Sequence, residues 1–179
     1  ITNDDSATLT LSSVSATNLE GNSGTTAFTF QVALSHDVQG GVSVAYATND
    51  GTATTADGDY VDNDGTLTFP GTAGTQTITV LVNSDTKVEA NEQFTVALGA
   101  ISGLAAGVPG GTGTVTTAGS PQTGTITNDD SATLTLSSVS ATNLEGNSGT
   151  TAFTFQVALS HNVQGGVSVA YATNDGTAT

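Results

Sequence analysis

Positive charge is almost missing from this sequence. Sixteen acidic side chains face a single cation, Lys87, with no Arg, and the formal net charge is −15. That shortage argues against nucleic acid as a partner, because phosphate binding draws on Lys and Arg. It argues equally against anionic membrane surfaces. Cysteine is absent as well, which excludes a disulfide framework and any thiolate metal site and leaves the compartment open. The two histidines, His36 and His161, stand alone at equivalent positions of a repeat, so a metal site would have to be built from oxygen. An oxygen site favours Ca²⁺ over Zn²⁺ or Cu²⁺. There is no signal peptide and no apolar run long enough to insert directly into a membrane. No stretch carries a helical period.

What is present is a repeat. Residues 1–54 recur as residues 126–179, each at its own number plus 125, with one difference, Asp37 against Asn162. A fixed repeat redefines what the chain is. The reading is a tandem repeat of 125 residues: residues 1–5 end a preceding unit, 6–130 make one complete domain, and 131–179 open the next. A unit of this length can bury a real core. The chain starts at Ile and stops within a repeat, as expected of a window on a longer array, so missing targeting signals carry no information about the parent protein.

Apolar and polar residues alternate with period two at Ala7–Leu11, Phe28–Leu34, Val42–Tyr46, Leu67–Phe69, Ile78–Val82, Phe94–Leu98 and around Ile126. Gly, Asn, Asp and Pro clusters separate these runs. One apolar and one Thr/Ser face per strand is the pattern of a sheet packed on a second sheet. The expected fold is all-β, an immunoglobulin-like seven-stranded antiparallel β-sandwich without the Cys–Trp–Cys core of antibody domains. Residues 101–123, rich in Gly, Ala, Thr and Ser, read as a long loop with a short hairpin around Gly113–Thr116.

The acids fall mainly in turns. Glu20 precedes the second strand and Asp50 follows the third. Asp85, Glu89 and Glu92 share the stretch before Phe94, and Asp129 and Asp130 follow the last strand. Loops after alternate strands of an antiparallel sandwich emerge at one end, so these carboxylates can converge at one pole. Without cations they would repel one another, whereas Ca²⁺ takes 6–8 oxygens from such loops. A solvated acidic surface is the competing reading, since turns favour Asp and Asn for local reasons.

At these residues the chain resembles the calx-β domain family of calcium-binding modules. The matching elements are Leu19-Glu20-Gly21, Ala47 to Ala53, Gly58-Asp59-Tyr60, Gly65 to Phe69, Asp85 to Phe94 and Gly124 to Asp130. The resemblance covers about residues 6–130. It implies calcium bound at one end of the sandwich by Glu20, Asp50, Asp85, Glu89, Glu92, Asp129 and Asp130. Ser84 and Ser131 stand where family members that bind several ions carry further acids, which implies fewer or weaker sites.

A second acidic group, Asp57 to Gly65, resembles an EF-hand loop but places Val61 at the fifth position and Thr68 at the twelfth, so it reads as a structural turn, with an accessory calcium site as the alternative. No nucleophile–base pair or phosphate loop accompanies the acids, and the chain does not read as an enzyme. The leading functional expectation is a structural calcium-binding repeat of a giant bacterial surface adhesin or filament, extracellular, with copies of itself as partners and Ca²⁺ stiffening each domain junction. A calcium-sensing regulatory domain is the alternative, and a carbohydrate- or surface-binding module is a third. The second copy is expected to form three strands and to be completed by strands beyond this chain, in cis or in trans. Solvent-facing Phe153 and Phe155 on a well-ordered isolated half-sandwich would contradict that fold.

Overall fold

The structure is a computed structural model that describes residues 5–106 and 115–177. The chain divides into two compact units, residues 1–85 with 90–129 and residues 86–89 with 130–179. Every regular element among the described residues is a strand, so none is a helix that could cross a membrane.

Among the described residues of the first unit, nine strands make two sheets. They are β1 (Ala7–Ser15), β2 (Thr17–Leu19), β3 (Thr25–Leu34), β4 (Val42–Asp50), β5 (Gly65–Phe69), β6 (Gly74–Asn83), β7 (Glu92–Ser102), β8 (Val115–Ala118) and β9 (Gln122–Thr127). One sheet has the order β6-β3-β1-β8 and the other β2-β9-β7-β4-β5. All seven expected runs are strands. β2 and β8 are additional, and they arise because the first and last strands each change sheets part-way. β1 breaks before Thr17 and continues as β2 in the opposite sheet, where Thr125 N donates to Ala16 O at 2.7 Å. β8 stops at Gly119 (φ 69°), whose missing Cβ would lie 2.2 Å from Leu11 O, and the chain crosses to β9.

Two expectations need correction here. The sandwich is not wholly antiparallel, since β1 runs parallel to β8 and β2 parallel to β9. Residues 101–123 are not one loop, since β7 extends to Ser102 and β8 pairs with β1. Low apolarity hid β8, which offers only Val115 to the core, fully buried. The hairpin expected around Gly113–Thr116 falls partly outside the described residues.

The alternation read from sequence is the burial pattern found. Phe28, Phe30, Val32 and Leu34 of β3 point inward, as do Ile78, Val80 and Val82 of β6. Burying each such side chain contributes about 1.5–3 kcal/mol. Phe94 of β7 is the hub. Its ring makes edge contacts with Phe28 at 5.6 Å and Phe30 at 6.2 Å, and stacks on Tyr60 at 4.8 Å. Gly124, opposite it on β9, leaves room for the ring, because a Cβ there would come within 2.4 Å of it.

The second unit holds β10 (Leu134–Ser140) and β11 (Thr154–Leu159), paired antiparallel. Their register repeats that of β1 and β3, Leu134 opposite Leu159 as Leu9 is opposite Leu34, with the same irregularity after Ser138 as after Ser13. Residues 86–89 join this unit through a parallel bridge between Val88 and Val163. The third expected strand is absent: residues 167–175 repeat the sequence of β4 but form no strand. In the first unit β4 takes its backbone bonds from β5 and β7, at residues 65–69 and 92–102. Phe155 is 56% exposed where Phe30 is 0%. Phe153, the residue before β11, is also exposed, beside a two-stranded sheet and not on an ordered half-sandwich.

Phe94→Ala is expected to destabilise the first unit by about 3–5 kcal/mol through the cavity it opens. Gly124→Ala is expected to destabilise it by about 1–3 kcal/mol through overpacking. Urea titration of the full chain checks both, and an unchanged midpoint for Gly124→Ala would mean that the Phe94 ring does not lie against β9.

Candidate metal centre

The elements that end at one pole of the first unit carry its acids. Leu19 ends β2, and Glu20 begins the turn into β3. Glu20 N donates to Thr127 O at 3.2 Å, which ties this turn to the end of β9. The Glu20 carbonyl accepts from Thr26 Oγ1 at 2.7 Å and from Ser84 Oγ. One residue on, Gly21 N donates to Asp129 Oδ1 at 3.1 Å. The Glu20 side chain is buried at 6% exposure, and Glu20 and Asp85 offer carboxylate oxygens within 4.8 Å of each other. Glu20 and Asp85 are thus brought together by the turns that follow β2 and β6, and Asp129, after β9, is tied to the first of these turns through Gly21 N.

Glu92 was expected in the loop before Phe94. It is instead the first residue of β7, opposite Ile126, and its side chain is buried at 7% exposure. In the first unit Asp59 offers a carboxylate oxygen within 4.8 Å of one from Glu92. Asp59 Oδ2 accepts from Thr54 N at 2.7 Å, and its carbonyl accepts from Asn83 N at 2.9 Å. Cations with oxygen ligands at 2.3–2.6 Å can touch two oxygens this far apart. The donors are carboxylates throughout, with no nitrogen or sulfur among them, and such a set fits Ca²⁺.

Asp50 is held differently. Its Oδ1 accepts from Tyr60 Oη at 2.7 Å and from Thr55 N at 3.0 Å. The Tyr60 hydrogen bond, and then that from Thr55, hold its pKa below the usual aspartate value of 3.8. Burial, followed by the Asp50 carboxylate, pushes the Tyr60 hydroxyl well above its ordinary range. Asp50 therefore closes the loop 51–60 onto the aromatic core. Asp62 and Asp64 brace the neighbouring loop, accepting from Thr48 Oγ1 at 2.5 Å and Thr48 N at 3.0 Å. Within the EF-hand-like stretch, Asp62 and Asp64 thus serve the turn, whereas Asp59 meets Glu92. Glu89 and Asp130 belong to the second unit, where Glu89 forms an ion pair with Lys87, the only cation of the chain.

A family model for the Calx-beta domain matches residues 3–120 and again 128–179. The chain belongs to the Calx-beta domain family. Among solved structures, this Calx-beta chain is similar to the apo form of the Calx CBD1 domain, at 28% identity and a TM-score of 0.52, over 68% of this chain and 98% of that one. It is also similar to CBD12 from CALX1.2, at 28% identity and a TM-score of 0.53. That match takes in 68% of this chain but only 46% of the other, so the chain spans less than half of CBD12. A search of curated proteins returned no match.

Sequence reasoning about the Calx-beta pole missed Asp59. Its signal was Gly58-Asp59-Tyr60, part of the family pattern, but position alone did not tell a turn residue from one whose carboxylate meets Glu92. The second Calx-beta copy repeats Glu20 as Glu145 and Asp50 as Asp175, and both are exposed.

The Asp50–Tyr60 pair gives a pH prediction. A carboxylate whose folded pKa is lowered adds stability above its unfolded pKa, and that stability is lost as pH falls through the folded value. Tyr60→Phe is therefore expected to lower stability at neutral pH, with part of the difference from wild type disappearing below about pH 4. Denaturant titrations of both proteins across that range provide the check, and a pH-independent difference would mean that Tyr60 acts through packing alone.

Proposed function

We propose that the first unit binds Ca²⁺ at its acidic pole and that the protein is a structural calcium-binding repeat of an extracellular filament or giant adhesin. The observation that carries the calcium reading is that Glu20 and Glu92 are buried carboxylates, each with a second carboxylate of the first unit within 4.8 Å, Asp85 for Glu20 and Asp59 for Glu92. Two carboxylates this close repel one another unless a cation lies between them, and the chain supplies one Lys for sixteen acids. The ligand set we propose is Glu20, Asp85, Glu92 and Asp129, with Asp59 added. Glu89, Asp130 and Asp50 come from the family pattern, and Asp50 Oδ1 already accepts two hydrogen bonds. Similarity to the Calx CBD1 domain supports the same reading. Bound calcium would neutralise charge and hold the turns after β2, β6 and β9 in one arrangement.

The structural role rests on near-identity between copies. Identical modules suit a spacer, whereas a sensor needs only one or two tuned domains. Thr, Ser, Gly and Ala richness without Cys supports a secreted repetitive protein whose partners are further copies of itself. The junction supports stiffening, since only Ser131 to Thr133 separate Asp130 from β10, too short a stretch to act as a flexible coil.

Binding restricted to the folded state adds RT ln(1 + [L]/Kd), about 2.7 kcal/mol at a hundredfold excess over Kd. The melting temperature of the first unit is therefore expected to rise by several degrees between chelator and about 10 mM Ca²⁺, given dissociation constants of roughly 10⁻⁴–10⁻³ M for extracellular modules. Glu20→Gln with Asp85→Asn should abolish the increment and melt no lower than wild type in chelator. Calorimetric scans with identical curves in both conditions would sink the proposal. For the structural role, small-angle scattering of three joined repeats is expected to show an extended rod in calcium that loosens in chelator; equal distance distributions would count against it.

A further inference from the structure

The last residue of β6, Asn83, sits beside the loop that carries Asp59 to Glu92. Residues 59–61 lie antiparallel against the end of that strand. Val61 N donates to Leu81 O at 2.8 Å, Tyr60 pairs with Val82, and Asn83 N donates to Asp59 O at 2.9 Å. These are backbone bonds, and any residue but proline at position 83 would keep the last of them. The Asn83 side chain adds one more. Its Nδ2 donates to Gly58 O at 2.5 Å, one residue beyond the reach of the backbone pairing. Gly58 is where the chain turns into Asp59, at a φ of 88° that favours glycine. Asn83 therefore holds the carbonyl before Asp59 as well as the carbonyl of Asp59 itself.

Two further contacts converge on Asp59. Thr54 N donates to its Oδ2 at 2.7 Å, and the ring of Tyr60, the next residue, stacks on Phe94 at 4.8 Å. Phe94 follows Glu92 by two residues on β7. The stacked rings hold the two segments together, and Asn83 fixes the rotation of the peptide from which the Asp59 carboxylate departs. Calcium ligands must lie at 2.3–2.6 Å, so a small rotation of that peptide carries an oxygen out of reach. The next residue of the chain serves the other acid pair. Ser84 N donates to Gly24 O at 3.1 Å and its hydroxyl to Glu20 O. The two side chains thus reach different pairs, as successive side chains of a strand point to opposite faces.

We propose that Asn83 is a positioning residue of the cation site: by holding Gly58 O, its side-chain amide aims the Asp59 carboxylate at the oxygen of Glu92 with which it shares Ca²⁺. The inference rests on the calcium reading of the acidic pole. In this role Asn83 acts through Asp59 alone and has no part in the Glu20–Asp85 pair.

The probe is Ca²⁺ alone, titrated into the isotopically labelled full chain and followed by NMR through the amide signals of Asp59 and Glu92. Asn83→Ala is expected to weaken the binding read there by about threefold to tenfold, the effect of losing one hydrogen bond. Asn83→Leu, of similar size but without a donor, should show the same loss. The loss should recur in an Asp85→Asn background and vanish in an Asp59→Asn background, because a residue that acts through Asp59 has nothing to act on once that carboxylate is gone. A merely structural role, such as fraying of the end of β6, would carry into all three backgrounds. Unchanged affinity in both Asn83 variants, or an equal loss in the Asp59→Asn background, would overturn the inference and leave the calcium reading standing. A wild-type chain whose first-unit amides do not respond to Ca²⁺ would overturn the calcium reading itself, and this inference with it.

Discussion

The Phe94 ring is the contact on which the rest of the first unit depends. It meets Phe28 and Phe30 from the opposite sheet, stacks on Tyr60 from the loop 51–60, and fills the space that Gly124 leaves on β9. Glu92 lies two residues before it on the same strand. Tyr60 in turn hands its hydroxyl to Asp50. The aromatic core and the acidic pole are therefore one arrangement, in which packing against one ring positions both a buried carboxylate and the loop that brings Asp59 to it.

Charge sets the second constraint. A unit with so many acids and one cation resists compaction by self-repulsion. The structure handles its acids in two ways. Asp50, Asp62, Asp64 and Asp129 each accept hydrogen bonds from nearby turns or strands, which secures a carboxylate without a counter-ion. Glu20 and Glu92 are drawn inside, where each faces a second carboxylate. The first arrangement stabilises loops, whereas the second concentrates negative charge in low dielectric and is where a divalent cation would gain most.

The two copies form an internal comparison that few chains offer. β1 and β3 recur as β10 and β11 with the same register and the same irregularity after the equivalent serines, so this pair needs nothing beyond itself. β4 does not recur, although its sequence does, because its hydrogen-bonding neighbours come from residues 65–69 and 92–102. The same Glu is buried in one copy and exposed in the other.

Local alternation was enough to read seven strands, their inward faces and the all-β class, because side-chain direction in a strand has a fixed period of two. The family resemblance named Glu20, Asp85 and Asp129 among the candidate ligands, and the fold sets the Glu20 and Asp85 carboxylates within 4.8 Å of each other. The sheet changes at Ala16 and Gly119 were not readable, since polar switch points look like loops. Nor was the meeting of Asp59 with Glu92, since β5 and β6 lie between them in the chain. What the sequence by itself determined is which residues can face a core. Tertiary structure alone decided which of them do, because a strand's backbone bonds and buried face are supplied by segments distant in the chain, as the bare copies of Phe28 and Phe30 demonstrate.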